Sequence, residues 1–194
     1  MKLSIITINY NNLEGLKQTL NSVKAQTFND YEWIVIDGGS TDGSKELLES
    51  HDGDISCWVS ERDNGIYHAM NKGIAHANGE FCQFLNSGDY YISPETLSEV
   101  FSLGDLSDVN YGDQWCIENG KVTERRTYPE KMSLDYLFNA PLGHQATIFR
   151  TSVIKAHPYR ENYTISSDRA LYLDLYTSGC HFRHLPLPIV YFGS

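Results

Sequence analysis

Glu32-Trp33-Ile34-Val35-Ile36-Asp37-Gly38-Gly39-Ser40-Thr41-Asp42-Gly43-Ser44 runs from an apolar, β-branched stretch into a carboxylate, two glycines and a cluster of short polar residues. The pattern predicts a buried strand over Tyr31–Asp37 that breaks into a turn. In an open α/β sheet, ligands bind at the carboxyl ends of the strands. There Asp37 can accept a hydrogen bond from a ligand N–H, and Gly38 and Gly39 let a ligand approach the backbone. The same residues also make an ordinary strand-to-helix corner capped by Thr41 or Asp42. This stretch alone leaves both readings open.

Outward from it, strand and helix patterns alternate. Leu3–Asn9 reads as a buried first strand, and Leu13–Gln26 as an amphipathic helix carrying Leu13, Leu16, Leu20 and Val23. A helix through Lys45, Leu47 and Leu48 follows Asp37. Ser56–Ser60 reads as a strand, Ile66–His76 as a helix and Glu80–Asn86 as a strand. Ser93-Pro94-Glu95 has the form of an N-cap with proline at the first helical position. Such alternation predicts an α/β domain with a mostly parallel sheet flanked by helices. The second half is less regular. It offers strands at Val109–Tyr111, Ala146–Arg150, His181–Leu185 and Ile189–Phe192, and a hairpin over Trp115–Arg126 turning at Glu118-Asn119-Gly120. A helix over Ser167–Ser178 is stopped by Gly179. No repeat or linker interrupts residues 1–194, so a single domain is expected.

Composition narrows the class. The 194 residues are 41% hydrophobic and 21% charged, as in a soluble globular domain with a real core. A formal net charge of −10 argues against a nucleic-acid-binding surface but suits a chain that holds a divalent cation. Four dispersed cysteines form neither a zinc pattern nor a disulfide scaffold, so a cytoplasmic setting is expected. No stretch approaches the roughly 18 apolar residues of a membrane helix. The start is too polar beyond Ile8 for a signal peptide. Peripheral contact with a membrane stays compatible with the sequence.

Four constellations carry chemistry. At the end of the first strand, Thr7-Ile8-Asn9-Tyr10-Asn11-Asn12 offers a ring, Tyr10, that can stack on a base; otherwise it ends a strand and caps a helix. The Asp37 loop lacks Gly-x-Gly-x-x-Gly and follows the second strand, which disfavours a dinucleotide site. In Glu61–Gly73, Asp63, Asn71 and Lys72 can reach ribose and phosphate, or simply decorate a capped helix. Finally, Phe84-Leu85-Asn86-Ser87-Gly88-Asp89 ends a strand in oxygen ligands suited to Mg²⁺ or Mn²⁺ beside a diphosphate, although Asn and Asp are also ordinary turn residues. Three carboxylate-bearing loops at successive strand ends face one crevice, and their conjunction is more telling than any one of them.

These blocks resemble the GT-A glycosyltransferases, specifically family 2 of inverting enzymes, over about residues 1–192. The marks are Ser4–Asn11, Asp37–Ser44, Asp63–Tyr67 with Ala69–Gly73, and Phe84–Asp89 before Pro94. The resemblance is closest to polysaccharide-biosynthesis members of the colanic-acid type. It implies a single-domain GT-A fold with a nucleotide-sugar half (about 1–92) and an acceptor-side half (about 93–194), the latter shortened at its end. It sets Thr7, Asn9 and Asp37 around the base, with Asp37 receiving the uracil imide N–H. Tyr10, Gly38, Asp63, Asn71, Lys72, Asn86, Ser87 and Gly88 would complete the nucleotide-sugar site. Asp89 would be the metal carboxylate for Mn²⁺ or Mg²⁺, in a segment where many relatives carry aspartates at the positions of Asn86 and Gly88.

By the same resemblance, Asp168 in Ser166-Ser167-Asp168-Arg169 would be the base, a role compatible with capping the helix that follows. His144 and Gln145 would lie on the acceptor side, His144 being otherwise a core-edge histidine. The implied activity is metal-dependent transfer of a sugar from a nucleotide-diphospho-sugar, a UDP-sugar foremost, to a hydroxyl of a saccharide or lipid-linked acceptor at the cytoplasmic face of a membrane. A sugar-nucleotide nucleotidyltransferase is the enzymatic alternative, though Tyr10-Asn11-Asn12-Leu13 lacks the Gly-rich basic loop it needs. A non-catalytic sugar-nucleotide module is the alternative from another class.

Overall fold

A computed structural model of the chain describes residues 1–194 apart from Asn119, Thr164 and Ser194. The first half alternates β1 (Leu3–Asn9), α1 (Leu13–Lys24), β2 (Tyr31–Asp37), α2 (Ser44–Ser50), β3 (Cys57–Ser60), α3 (Ile66–His76) and β4 (Phe81–Phe84). These four strands pair in parallel in the order β3-β2-β1-β4, with Asn9 opposite Asp37 and Asp37 opposite Ser60. Period-two alternation divides their side chains between two buried layers. Leu3, Ile5, Trp33 and Val35 pack with Leu16, Leu20 and Val23 of α1. Ile6, Ile34, Ile36 and Phe84 pack with Ala69, Met70 and Ile74 of α3. A sheet covered by helices on both faces buries most of β1, β2 and β4, which explains their apolar runs, while the edge strand β3 stays half-buried. The α3 layer is close: a Cβ on Gly73 would stand 2.4 Å from Ile6 Cγ2.

The second half adds β5 (Tyr90–Tyr91), α4 (Thr96–Ser102), β6 (Val109–Glu118), β7 (Lys121–Arg126), α5 (Leu134–Asn139), β8 (Thr147–Arg150), α6 (Thr151–Ala156), α7 (Ser167–Thr177) and β9 (Phe182–Gly193). Here β8 runs antiparallel between β4 and β6, β9 runs parallel to β6, and β5 closes the edge against β9. Insertion of β8 joins both halves into one sheet. None of the described helices is long and apolar enough to cross a membrane.

Several boundaries differ from the sequence reading. Helix α1 stops at Lys24 because the Gln26 side chain turns instead to Ser93 O (2.8 Å) and the Leu97 N–H (3.1 Å). The cap of α2 is Gly43 at φ +97°, not Thr41 or Asp42; the Asp42 carboxylate accepts from the Leu13 N–H (2.8 Å) and tethers two helix starts. Helix α4 begins at Thr96, so Pro94 precedes its cap rather than opening it. The two short C-terminal strands are one strand, β9, whose Pro186 and Pro188 coincide with register shifts against β6. The β6–β7 hairpin forms as expected, while the Asn119 of its turn lies outside the described residues.

Candidate active site

A cleft of about 730 Å³ opens at the carboxyl ends of β1 and β2, walled by the start of α3 and the loop after β4. Asn9, Tyr10, Gly38, Asp63, Asn86 and Ser87 all line it. Tyr10 is 67% exposed, and its ring lies against Gly38, where a Cβ would meet it at 3.1 Å. Sequence reading passed over Arg62, which also lines the cleft. It is exposed, makes no hydrogen bond or ion pair among the described residues, and its sequence signal is its place between Glu61 and Asp63.

Asp37 stands one layer behind this wall. Its side chain is fully buried, with Oδ1 accepting from Asn9 Nδ2 (2.7 Å) and Ser40 Oγ (2.5 Å). Oδ2 accepts from the Ser40 N–H (3.0 Å) and Ser60 Oγ (2.7 Å). Burial pushes its pKa up, but these four bonds outweigh it and hold the carboxyl below its usual range. All four lone-pair sites are filled from within the protein, leaving none for a base N–H. Asn9 is in turn fixed by Ser87 Oγ, which donates to its Oδ1 at 2.7 Å. Thr7 also stands apart from the cleft: its hydroxyl donates to Leu85 O (2.8 Å) and accepts from Trp33 Nε1 (2.9 Å).

Asp63 supplies the carboxylate that faces the cleft. Its Oδ1 is met by Lys72 Nζ at 2.6 Å and by His68 Nδ1 at 3.1 Å. Its Oδ2 is buried, has no hydrogen-bond partner among the described residues and lies on the Gly38 side. Lys72 is therefore an internal counter-ion, shared with Glu61 at 2.6 Å. Burial alone would lower its pKa, and the two carboxylates raise it instead. Asn71 is likewise occupied, bonding the backbone N–H and C=O of Tyr159 at 2.9 and 3.0 Å.

In the loop after β4, Asn86 lines the cleft, and its Oδ1 is buried without a hydrogen-bond partner among the described residues. Gly88, at φ +101°, lets the chain turn to Asp89. Burial pushes the Asp89 carboxyl up to about 7, against hydrogen bonds from the Gly193 and Asn86 backbone and the Gln145 side chain. Gly193 at the end of β9 donates to Asp89 Oδ1 at 3.2 Å. Among the described residues, no three His, Cys, Asp or Glu side chains form a metal cluster. One desolvated carboxylate and one orphaned amide oxygen fit a hard cation whose shell is completed by phosphate and water.

On the other side of Phe84, His144 is buried, with Nε2 hydrogen-bonded to the Tyr159 hydroxyl and its ring 4.9 Å from that of Phe84. Burial pushes the imidazole down to about 4, partly opposed by the charge of Asp168. His144 is thus a neutral core residue, while Gln145 reaches Asp89. Asp168 is half-buried in the first turn of α7, and its carboxylate accepts no hydrogen bond from the described residues. Its charge acts on His144, Tyr159 and Tyr172, which places it beside that buried aromatic cluster.

The cleft lies at the strand ends of an α/β sheet, and comparison with known proteins assigns the family. Residues 4–158 match the model for glycosyl transferase family 2, and the chain belongs to that family. It is 33% identical over 178 residues to an uncharacterised glycosyltransferase of Mycobacterium tuberculosis (strain CDC 1551 / Oshkosh), covering 88% of this chain and 67% of that protein. A PGL/p-HBAD biosynthesis glycosyltransferase of Mycobacterium bovis (strain BCG / Pasteur 1173P2) is 30% identical over 176 residues, covering 85% and 66%. S. aureus TarS, solved in complex with UDP-GlcNAc, shares the fold at TM-score 0.84 and 23% identity, over 100% of this chain and 59% of that one. A mannosyltransferase of Pyrobaculum calidifontis, solved with GDP-Man and Mn²⁺, shares it at TM-score 0.71 and 16% identity, over 98% and 56%. The α/β architecture is that of the GT-A-like transferases. This chain spans 60% of the TarS chain solved without ligand.

Two outcomes are expected. Replacing Asp37 by Ala leaves one buried and three half-buried donors without their acceptor and lowers unfolding free energy by about 3 kcal/mol, read from the denaturant midpoint; an unchanged midpoint refutes the network. For His144 the folded pKa (about 4) lies below the unfolded value of about 6.5, so only the unfolded chain takes up a proton between them. Its contribution to stability is complete above about pH 6.5 and is lost as pH falls towards 4, by at most about 1.4 kcal/mol per unit. Thermal unfolding of wild type and His144→Gln across that range should show a steeper acid loss in the wild type; parallel curves contradict the assignment.

Proposed function

We propose that this chain is a glycosyltransferase domain that binds a UDP-sugar in the cleft and transfers the sugar, with inversion, to a hydroxyl of a saccharide or lipid-linked acceptor. The observation that carries the reading is a pair of buried acceptor oxygens without a partner among the described residues, Asp63 Oδ2 and Asn86 Oδ1, on two residues that line one cleft. Orphaned acceptors of this kind call for a ligand that donates. A uracil imide N–H and ribose hydroxyls supply those donors, and the exposed Tyr10 ring offers a face to the base. In this reading Asp63, rather than Asp37, receives the base or ribose, and Asp37 keeps the wall rigid. The unpaired Arg62 guanidinium suits the diphosphate. The nucleotide-sugar complexes of TarS and of the Pyrobaculum enzyme agree with such a donor.

Transfer is a single displacement. The acceptor oxygen forms a bond to the anomeric carbon as the bond to the β-phosphate oxygen breaks, so the configuration inverts and UDP leaves with the electron pair. Asp168 receives the acceptor proton as that hydroxyl becomes acidic. Its carboxylate is available because nothing within the described chain bonds to it. A Mg²⁺ or Mn²⁺ held by Asp89, with Asn86 Oδ1 at hand, would supply positive charge to the leaving diphosphate.

Asp63→Asn should weaken UDP binding about tenfold by calorimetry with Mn²⁺ present, because a charged acceptor is lost. Unchanged affinity would sink the assignment. For the base, UDP release is followed with a panel of UDP-sugars and mono- and disaccharide alcohols. Asp168→Asn should abolish turnover while UDP affinity holds; retained turnover removes Asp168 from that role.

A further inference from the structure

Helix α3 begins in the cleft wall, where Gly65 and Ile66 line the cavity, and ends far from it. One face of this helix, bearing Tyr67 and Asn71 a turn apart, is bonded to the acceptor-side half. Asn71 Oδ1 accepts from the Tyr159 N–H at 2.9 Å and Asn71 Nδ2 donates to Tyr159 O at 3.0 Å. The Tyr67 ring stacks on that of Tyr159, with centroids 5.7 Å apart and planes at 16°. The Tyr67 hydroxyl accepts from the Ser167 N–H at 3.1 Å, across 100 residues of sequence.

That last bond answers a specific deficit. Ser167 opens α7 and is fully buried, so its backbone N–H is one of the helix's orphan donors and cannot reach water. The N-cap residue, Ser166, adopts φ +68° and makes no side-chain cap bond. Ser167 Oγ is engaged as the acceptor of the Arg160 N–H at 2.9 Å. Tyr67, from another helix, therefore does what a cap normally does, at the residue just before Asp168.

We propose that Tyr67 is a positioning residue for Asp168: by accepting the Ser167 N–H it fixes the first turn of α7, and with it the carboxylate, relative to the cleft wall. The catalytic part of this inference rests on Asp168 being the base. The tether itself does not. Through α3, the wall that holds the donor and the turn that holds the base then move as one body, and a misplacement of about 1 Å at such a carboxylate is enough to cost about a hundredfold in rate.

Tyr67→Phe in the full chain keeps the ring stack and removes only the acceptor. Amide hydrogen exchange at residues 166–169 should quicken about tenfold, with α3 and the strands unchanged. Calorimetric affinity for UDP should hold, while kcat for the UDP-sugar and acceptor pair found above falls about ten- to a hundredfold at unchanged donor KM. Unchanged exchange at 166–169 overturns the tether, and quickened exchange with unchanged kcat overturns its role in positioning. Equal losses in UDP affinity and kcat would mean general loosening and also overturn it. If Asp168→Asn keeps its turnover, the base reading fails, and the exchange measurement still decides the tether.

Discussion

The carboxylate of Asp37 is the constraint on which the cleft depends. It sits where β1, β2 and β3 end side by side, and it takes one bond from each neighbouring strand end through Asn9 and Ser60 and two from the Ser40 turn. A buried charge is costly unless it is fully hydrogen-bonded, and here it is. The arrangement fixes the three strand ends at one height and aims Gly38 and Tyr10 into the cavity. Ser87 then extends the same network to the loop after β4 through Asn9. A carboxylate bonded this way holds the cleft wall, whereas Asp63 keeps one oxygen without a hydrogen-bond partner among the described residues.

Much of this was legible because it follows from period and punctuation. The bounds of β1, β2 and α3 agree with the apolar pattern, since each is long enough for its buried face to repeat. The clustering of Asn9, Asp63, Asn86 and Ser87 around one cleft follows from the rule for strand ends in parallel sheets. What pattern does not carry is the direction of a polar side chain. Asn71 and Lys72 have the residue types of ligand-binding groups, yet the first clasps Tyr159 and the second neutralises Asp63 and Glu61. Thr7 is spent between Leu85 and Trp33. The partners of Asn71 and Thr7 lie far away in the chain or on another strand, and those of Lys72 in the loop before its own helix, so no fixed spacing announces them. The Tyr67–Ser167 bond is a case in point, joining the first turn of one helix to the start of another 100 residues on.

The second half was harder to read for a related reason. Its short helices, α5 and α6, have six residues each, too few for an amphipathic period to register. Strand β9 carries two prolines, which break the usual strand signal, yet it continues because the register against β6 shifts there. Its far end is what brings Gly193 onto Asp89, so an irregular strand closes the turn that holds the candidate metal carboxylate.

Charge explains why that turn matters to the proposed activity. The chain carries a formal charge of −10, and a nucleoside diphosphate-sugar would add more negative charge to it. Lys72 is neutralised by Asp63 and Glu61, so Arg62 is the cation that the cleft lining itself presents without a carboxylate partner. One exposed guanidinium, screened by water, offsets little of a diphosphate's charge. A divalent cation at Asp89 would supply the remainder where the leaving group departs, and a desolvated carboxylate is the group that gains most from its arrival. In the proposed activity, base recognition and charge neutralisation would fall to two loops and proton removal to the first turn of α7, and the sheet and α3 hold these elements in one frame.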